Sequence, residues 1–124
     1  MTELNELTYV VRGAAFRVHT ALGPGLLEST YERCLAIELR RAGLRVECQC
    51  VLPLVYHDTT IERAYRIDML VEGKLIIELK SASDLTPIDT AQLLTYLKLS
   101  RLRLGLLINF NVPHLRDGIK RLIR

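Results

Sequence analysis

Asp68, Glu78 and Lys80 are the residues of this chain whose types and spacing could do chemistry together. They sit between Arg66 and Lys80, where two apolar runs rich in strand formers are split by Glu72-Gly73-Lys74, a pattern that predicts a β-hairpin. Ile67, Met69 and Val71 alternate with Arg66, Asp68 and Leu70; Leu75, Ile77 and Leu79 alternate with Ile76, Glu78 and Lys80. Period two puts the first set of each run on one face. For both sets to share the core, Val71 must oppose Leu75, Met69 oppose Ile77 and Ile67 oppose Leu79. Asp68 then lies across from Glu78, with Lys80 one step along. A two-residue turn would slip the register and expose an apolar set, so the loop is expected to hold three residues or a bulge.

Two carboxylates opposed on a sheet lie about 5 Å apart at Cβ and repel. Either Lys80 neutralises the pair on a solvated hairpin face, or the pair holds a hard cation. Mg²⁺ takes carboxylates and waters and leaves positions for phosphate oxygens. In that second case Lys80 could orient a water or offset charge developing on a phosphate.

The surrounding chain must position these groups. Leu4, Leu7, Val11, Ala14, Val18 and Leu22 recur at helical spacing, and Gly23-Pro24-Gly25 stops that helix, with Gly23 suited to the C′ position. A second helix is predicted from about Leu26 to Ala42, closed by Gly43, with Glu28, Tyr31 and Glu32 on one face of its first turns. The helix dipole alone would favour an acid at Glu28. The tight turn before it aims that end of the helix at another element, however, so the Glu28 carboxylate is expected to point toward Asp68 and Glu78 and not into bulk solvent.

Arg45 to Tyr56 reads as a strand, with Pro53 marking an edge or a bulge, and His57-Asp58-Thr59-Thr60 as a turn. Thr86-Pro87-Ile88-Asp89 supplies an N-cap, a proline at N1 and an acid at N3. The helix from Pro87 to about Leu99 then carries Gln92 and Tyr96 four apart on one side, with Leu93, Leu94 and Leu97 packing on the sheet. Leu102 to Phe110 has the profile of a buried strand, and Val112 to Arg124 reads as a short terminal helix. This order suits an α/β fold, a mixed central sheet of about four strands flanked by helices.

Asp68, nine intervening residues and then Glu78-Leu79-Lys80 resemble the D…ExK core of the PD-(D/E)XK nuclease superfamily. Gln92 and Tyr96 resemble the QxxxY motif of its RecB-like branch, and Gly25-Leu26-Leu27-Glu28-Ser29-Thr30-Tyr31 resembles the signature of the small bacterial GxxExxY family. The resemblance runs from about Val11 to the C-terminus, with one departure: Ile67 stands where the superfamily name has proline. It implies a restriction-endonuclease-like αβββαβ core and metal-dependent cleavage of DNA. It further implies that Asp68 and Glu78 hold Mg²⁺ or Mn²⁺ with help from the Leu79 carbonyl, while Lys80 positions the attacking water. Gln92 and Tyr96 would orient Lys80 or touch substrate phosphate, and Glu28 would join the cluster from the second helix. The competing function is a catalytically silent module of the same fold that binds nucleic acid or protein.

The 124 residues make one domain, 1–124, and 49% apolar with 25% charged residues is the composition of a soluble globular protein. No apolar run is long enough to span a bilayer. Met1 to Glu6 lacks the basic start and apolar stretch of a signal peptide, so a cytoplasmic protein is expected. Cys48 and Cys50 should share one strand face, and with His19, His57 and His114 scattered they read as buried thiols and not as a zinc site. Charge is uneven. Residues 98–124 hold seven bases (Lys98, Arg101, Arg103, Arg116, Lys120, Arg121, Arg124) against Asp117, a net +6 that leaves −3 for the rest of a chain of net +3. A basic end on a near-neutral body fits contact with a polyanion such as DNA. A homodimer would supply the two sites needed to cut both strands of a duplex.

Overall fold

In the computed structural model, which describes residues 3–124, the chain forms three layers: two helices, a five-stranded sheet and a third helix. Met1 and Thr2, where the reading of the N-terminus for a leader begins, lie outside the described residues. The elements are α1 (Glu3–Leu22), α2 (Glu28–Arg41), β1 (Val46–Tyr56), β2 (Thr59–Val71), β3 (Leu75–Lys80), α3 (Pro87–Ser100), β4 (Leu104–Asn109), a 3₁₀ turn (Leu115–Gly118) and β5 (Ile119–Ile123). Strands lie in sequence order; β3 and β4 are parallel and every other neighbouring pair is antiparallel. A parallel pair needs a crossover, which α3 provides. Among the described residues no helix is long and apolar enough to cross a membrane.

The predicted stripe of α1 is the one that packs: Leu7, Val11, Ala14 and Val18 are buried with Tyr31, Leu35 and Leu39 of α2 against Met69, Val71, Leu75, Ile77 and Leu79. On the other side of the sheet Leu93 and Leu97 of α3 cover Ile67, Ile76 and Leu107. Leu94, expected on the sheet, is 38% exposed because it falls to the outer side of that stripe. At the start of α3 the Asp89 N–H donates to Thr86 Oγ1 at 3.3 Å and the Thr86 N–H to Asp89 Oδ2 at 2.9 Å, the reciprocal cap expected from sequence. Every residue of β4 is buried, and β3 is buried up to Lys80, so neither alternates as a half-exposed strand would.

Two boundaries differ from the sequence reading, and one irregularity falls where it was expected. The turn at His57 has two residues, since Tyr56 already pairs with Thr59. The strand break expected at Pro53 is there, as a register shift between Leu52 and Leu54 on the edge strand β1. The predicted terminal helix is instead a 3₁₀ turn followed by β5, which pairs Leu104↔Ile123, Leu106↔Arg121 and Ile108↔Ile119. Without β5, the apolar strand β4 would present an open edge. That non-local pairing outweighs the helix-like spacing of Leu115, Ile119 and Leu122.

Gly118 fixes this corner. A Cβ there would lie 2.2 Å from the Asn109 carbonyl oxygen, and Asn109 is the 2% exposed residue whose side chain accepts from Ala82 N–H at 3.1 Å and donates to Ala82 O at 2.9 Å. Gly118→Ala is therefore expected to lower stability by about 1–3 kcal/mol, read as an earlier urea midpoint. An unchanged midpoint would mean that the 3₁₀ turn relaxes freely.

Candidate active site

The β2–β3 ladder begins in the predicted register, Val71↔Leu75 and Met69↔Ile77, around a three-residue loop in which Glu72 and Gly73 have φ of 54° and 64°. It then opens. Past Met69 the Asp68 N–H donates to Glu78 Oε1 at 3.4 Å and the Leu79 N–H donates to Asp68 Oδ2 at 2.8 Å. The two carboxylates thus take over backbone groups that a continued ladder would have paired.

A matched break lies on the other side of β2. Gln49 of β1 has φ of 54°, and the β1–β2 register passes from Cys48↔Met69 to Cys50↔Ile67 without pairing Gln49 and Asp68. A left-handed residue rotates the strand, so faces exchange there. Cys48 and Met69 pack under α1 and α2, whereas Cys50 and Ile67 pack under α3. This corrects two expectations: Ile67 does not share a face with Leu79, and Cys48 and Cys50 lie on opposite sides of the sheet. All three cysteines are free thiols and half-buried, less enclosed than expected.

Glu78 is 5% exposed, and its carboxyl is pushed up to about 9, first by burial and then by its hydrogen bond to Asp68 and the Asp68 charge. Burial, followed by the charges of Glu78 and Asp68, also raises the Tyr96 hydroxyl. Lys80 stands on the Glu78 face, with its Nζ 3.7 Å from Asp89 Oδ1. On the α2 side of the seam, Glu28, Ser29, Glu32, Gln49, Arg66, Asp68 and Leu79 line a cleft. Glu28 Oε1 accepts the Ser81 N–H at 3.2 Å, and the Ser81 hydroxyl donates to Leu26 O at 2.6 Å. Glu28 is thus directed at the end of β3 and shares a cleft with Asp68. Within that cleft Gln49 Nε2 donates to Glu32 Oε1 at 2.6 Å and lies 3.5 Å from Asp68 Oδ1. Burial, ahead of the other influences, raises the Glu32 carboxyl.

The family model of the PD-(D/E)XK nuclease superfamily matches residues 5–122. The chain belongs to that superfamily. Neither the curated proteins nor the solved structures give a significant match. The mixed sheet with helices on both faces is the restriction-endonuclease-like arrangement that the superfamily implies, here with a fifth strand beyond the four expected.

Within this PD-(D/E)XK domain the six residues singled out in sequence do not converge on one cavity. Asp68 and Glu78 meet at the seam; Glu28 of α2 lines the cleft with Asp68 but bonds to Ser81; Lys80 and Tyr96 stand on the α3 side. Tyr96 stacks on Tyr65 with ring centroids 5.1 Å apart. Gln92 is exposed, and the α3 side chain paired with Lys80 is Asp89, not Gln92 or Tyr96. Tyr31, which the helical spacing places on one face with Glu28, is fully buried. Its hydroxyl donates to Gly23 O at 2.6 Å and accepts the Leu26 N–H at 3.1 Å, and its ring stacks on Phe110 at 4.5 Å, so it clamps the turn that aims α2.

Sequence reasoning missed Glu32, Gln49, Arg66 and Asp89 as site residues. Glu32 was visible one turn beyond Glu28, and Arg66 two residues before Asp68 on the same strand. Asp89 is fully explained as a cap, which hid its second contact. Nothing in the sequence signals a left-handed Gln49. Among the described residues no three His, Cys, Asp or Glu side chains are already gathered around a metal position. The residues that could hold a cation, Asp68 and Glu78 with the Leu79 carbonyl and Glu28 of α2, would nonetheless offer only oxygen. That is the chemistry of a hard cation completed by waters. A carboxyl buried against a second carboxylate also gains most from a cation in place of its proton.

Proposed function

We propose that this domain is a metal-dependent nuclease that hydrolyses phosphodiesters of DNA, and that it belongs to the GxxExxY family within the superfamily. The observation that carries the reading is the opened β2–β3 seam, where buried Glu78 meets half-buried Asp68 near the end of β3. Asp68, Glu78 and the Leu79 carbonyl would hold Mg²⁺ or Mn²⁺, with Glu28 joining directly or through water. When bound there, a cation would supply neutralisation of phosphate charge and stabilisation of the attacking and leaving oxygens. Lys80 orients the attacking water and balances charge from the Glu78 face, and Asp89 keeps its ammonium from folding back onto the carboxylates. Tyr96 supports the same face from α3, and Gln92 is free to reach a substrate phosphate.

The basic residues support the polyanion part of this reading in a different way from a single patch. Lys120 and Arg121 are consecutive on β5 and face opposite sides: Lys120 Nζ donates to Thr90 Oγ1 of α3, whereas Arg121 donates to Asn5 Oδ1 of α1. Arg124 Nε is held by Leu102 O. Arg66 is the base that lines the cleft. DNA is therefore proposed to approach through Arg66 and the free bases Lys98, Arg101 and Arg103, with Lys120, Arg121 and Arg124 as more distant contributors. Cutting both strands of a duplex asks for two copies of this one-site chain.

Linear, circular and single-stranded DNA incubated with the protein and Mg²⁺ or Mn²⁺ should each be scored for products, with a chelator as control. Chelator-sensitive cleavage of at least one form is expected. Intact DNA in all three forms with both cations would overturn the proposal.

A further inference from the structure

Gln49 does something that its backbone conformation does not require. With φ of 54° it occupies the left-handed region, where glycine sits without strain and most side chains do not. Glycine would meet that backbone demand better; what glycine lacks is the side-chain amide. That amide lies between two carboxylates from different elements, Glu32 of α2 at 2.6 Å and Asp68 of β2 at 3.5 Å.

We propose that Gln49 is a positioning residue that holds the Asp68 carboxylate in the orientation needed to accept a divalent cation. The inference rests on the nuclease reading above. Asp68 is gripped at both oxygens: Oδ2 accepts the Leu79 N–H at 2.8 Å, and Oδ1 faces the Gln49 amide. Together the two contacts fix the plane of the carboxylate. Each oxygen has two lone pairs, so neither contact exhausts its oxygen, and the lone pair that the Glu78 carboxyl engages is freed when a cation takes the place of the Glu78 proton. The amide nitrogen carries two hydrogens, one for Glu32 and one for Asp68, and so keeps two acids apart that would otherwise repel across the cleft. Glu32 Oε1, the closer partner, sets where the amide stands, and so ties the orientation of Asp68 to α2. Gln49 acts on the cation only through Asp68 and needs no contact with substrate. Partners that orient a ligating carboxylate in this way are typically worth 10–100-fold in metal affinity.

The test titrates Mn²⁺ into the full chain by calorimetry and follows melting of the metal-free protein, for wild type, Gln49→Gly and Gln49→Met. Gln49→Gly removes the amide and relieves the backbone, so the metal-free protein should melt at or above the wild-type temperature while the Mn²⁺ Kd rises about 10–100-fold. Gln49→Met keeps the length of the side chain and should show the same loss of affinity. A residue that served only the strand break would respond to glycine by gaining stability with its Mn²⁺ affinity intact. Folded Gln49→Gly that binds Mn²⁺ within twofold of wild type therefore overturns the proposal and leaves the metal site standing. No binding by wild type overturns both, and that result needs no variant to be recognised.

Discussion

Lys80→Ala is expected to keep divalent-cation binding and to lose about 10²–10⁴-fold in the rate of DNA cleavage. Lys80 is two residues beyond Glu78 on β3 and so presents its side chain on the same face, beside the buried carboxyl. Its partner, Asp89 Oδ1, stands at 3.7 Å, and both side chains are partly exposed, so the pair itself contributes at most about 1 kcal/mol to stability. A large fall in rate could then not be ascribed to unfolding. Single-turnover cleavage gives the rate, and Mn²⁺ calorimetry on the same preparation checks the site. Asp89→Asn makes a useful companion, because asparagine can still accept the Thr86 N–H while it releases the ammonium. Cleavage by Lys80→Ala within tenfold of wild type would remove Lys80 from the chemistry and leave it as a counter-charge for the face.

Much of this site was legible because it depends on local rules. The start of α3 follows from Thr86, Pro87 and Asp89 alone, and its crossover position follows from the apolar runs on either side. The β2–β3 register follows from the demand that Val71 and Leu75, then Met69 and Ile77, share a face. The same rule failed one step later. Ile67 obeys a period of two only if β2 stays regular, and the left-handed Gln49 on the neighbouring strand rotates both strands at that point. Such a break is a property of two strands together and leaves no mark on either sequence. β5 was hidden for a related reason. Leu115, Ile119 and Leu122 fit a helical stripe, and only the open edge of β4, the strand just before it, makes a strand the better solution. Asp89 is a third kind of miss, since it already had a sufficient local role as a cap.

Metal-free protein is expected to lose stability as pH rises from about 5 to 9, and added Mg²⁺ should offset that loss most at the alkaline end. The sign follows from Glu78, whose carboxyl stands at about 9 in the folded chain against an ordinary 4.5. Between those values the folded protein holds a proton that the unfolded chain has released. The stabilisation is therefore fully present below about 4.5 and is lost as pH climbs through about 9, at no more than about 1.4 kcal/mol per pH unit. Glu32, also raised by burial, acts in the same direction. Asp89 is lowered, chiefly by the Thr86 N–H and then by Lys80; its contribution is lost only as pH falls below its ordinary 3.8, outside this window. A cation must displace the Glu78 proton to bind, so its affinity should grow with pH and its binding should release protons. Asp68→Asn separates these effects. It removes the charge and the acceptor that help raise Glu78, so the metal-free pH slope should become shallower, although burial still holds the Glu78 carboxyl up. It also removes a ligand, so Mg²⁺ should no longer shift the melting temperature at any pH. Melting curves at unit steps from pH 5 to 9, with and without Mg²⁺, decide the matter. A flat metal-free profile would mean that Glu78 ionises freely at the seam, and an equal Mg²⁺ shift at pH 6 and pH 9 would mean that the cation binds somewhere other than beside that proton.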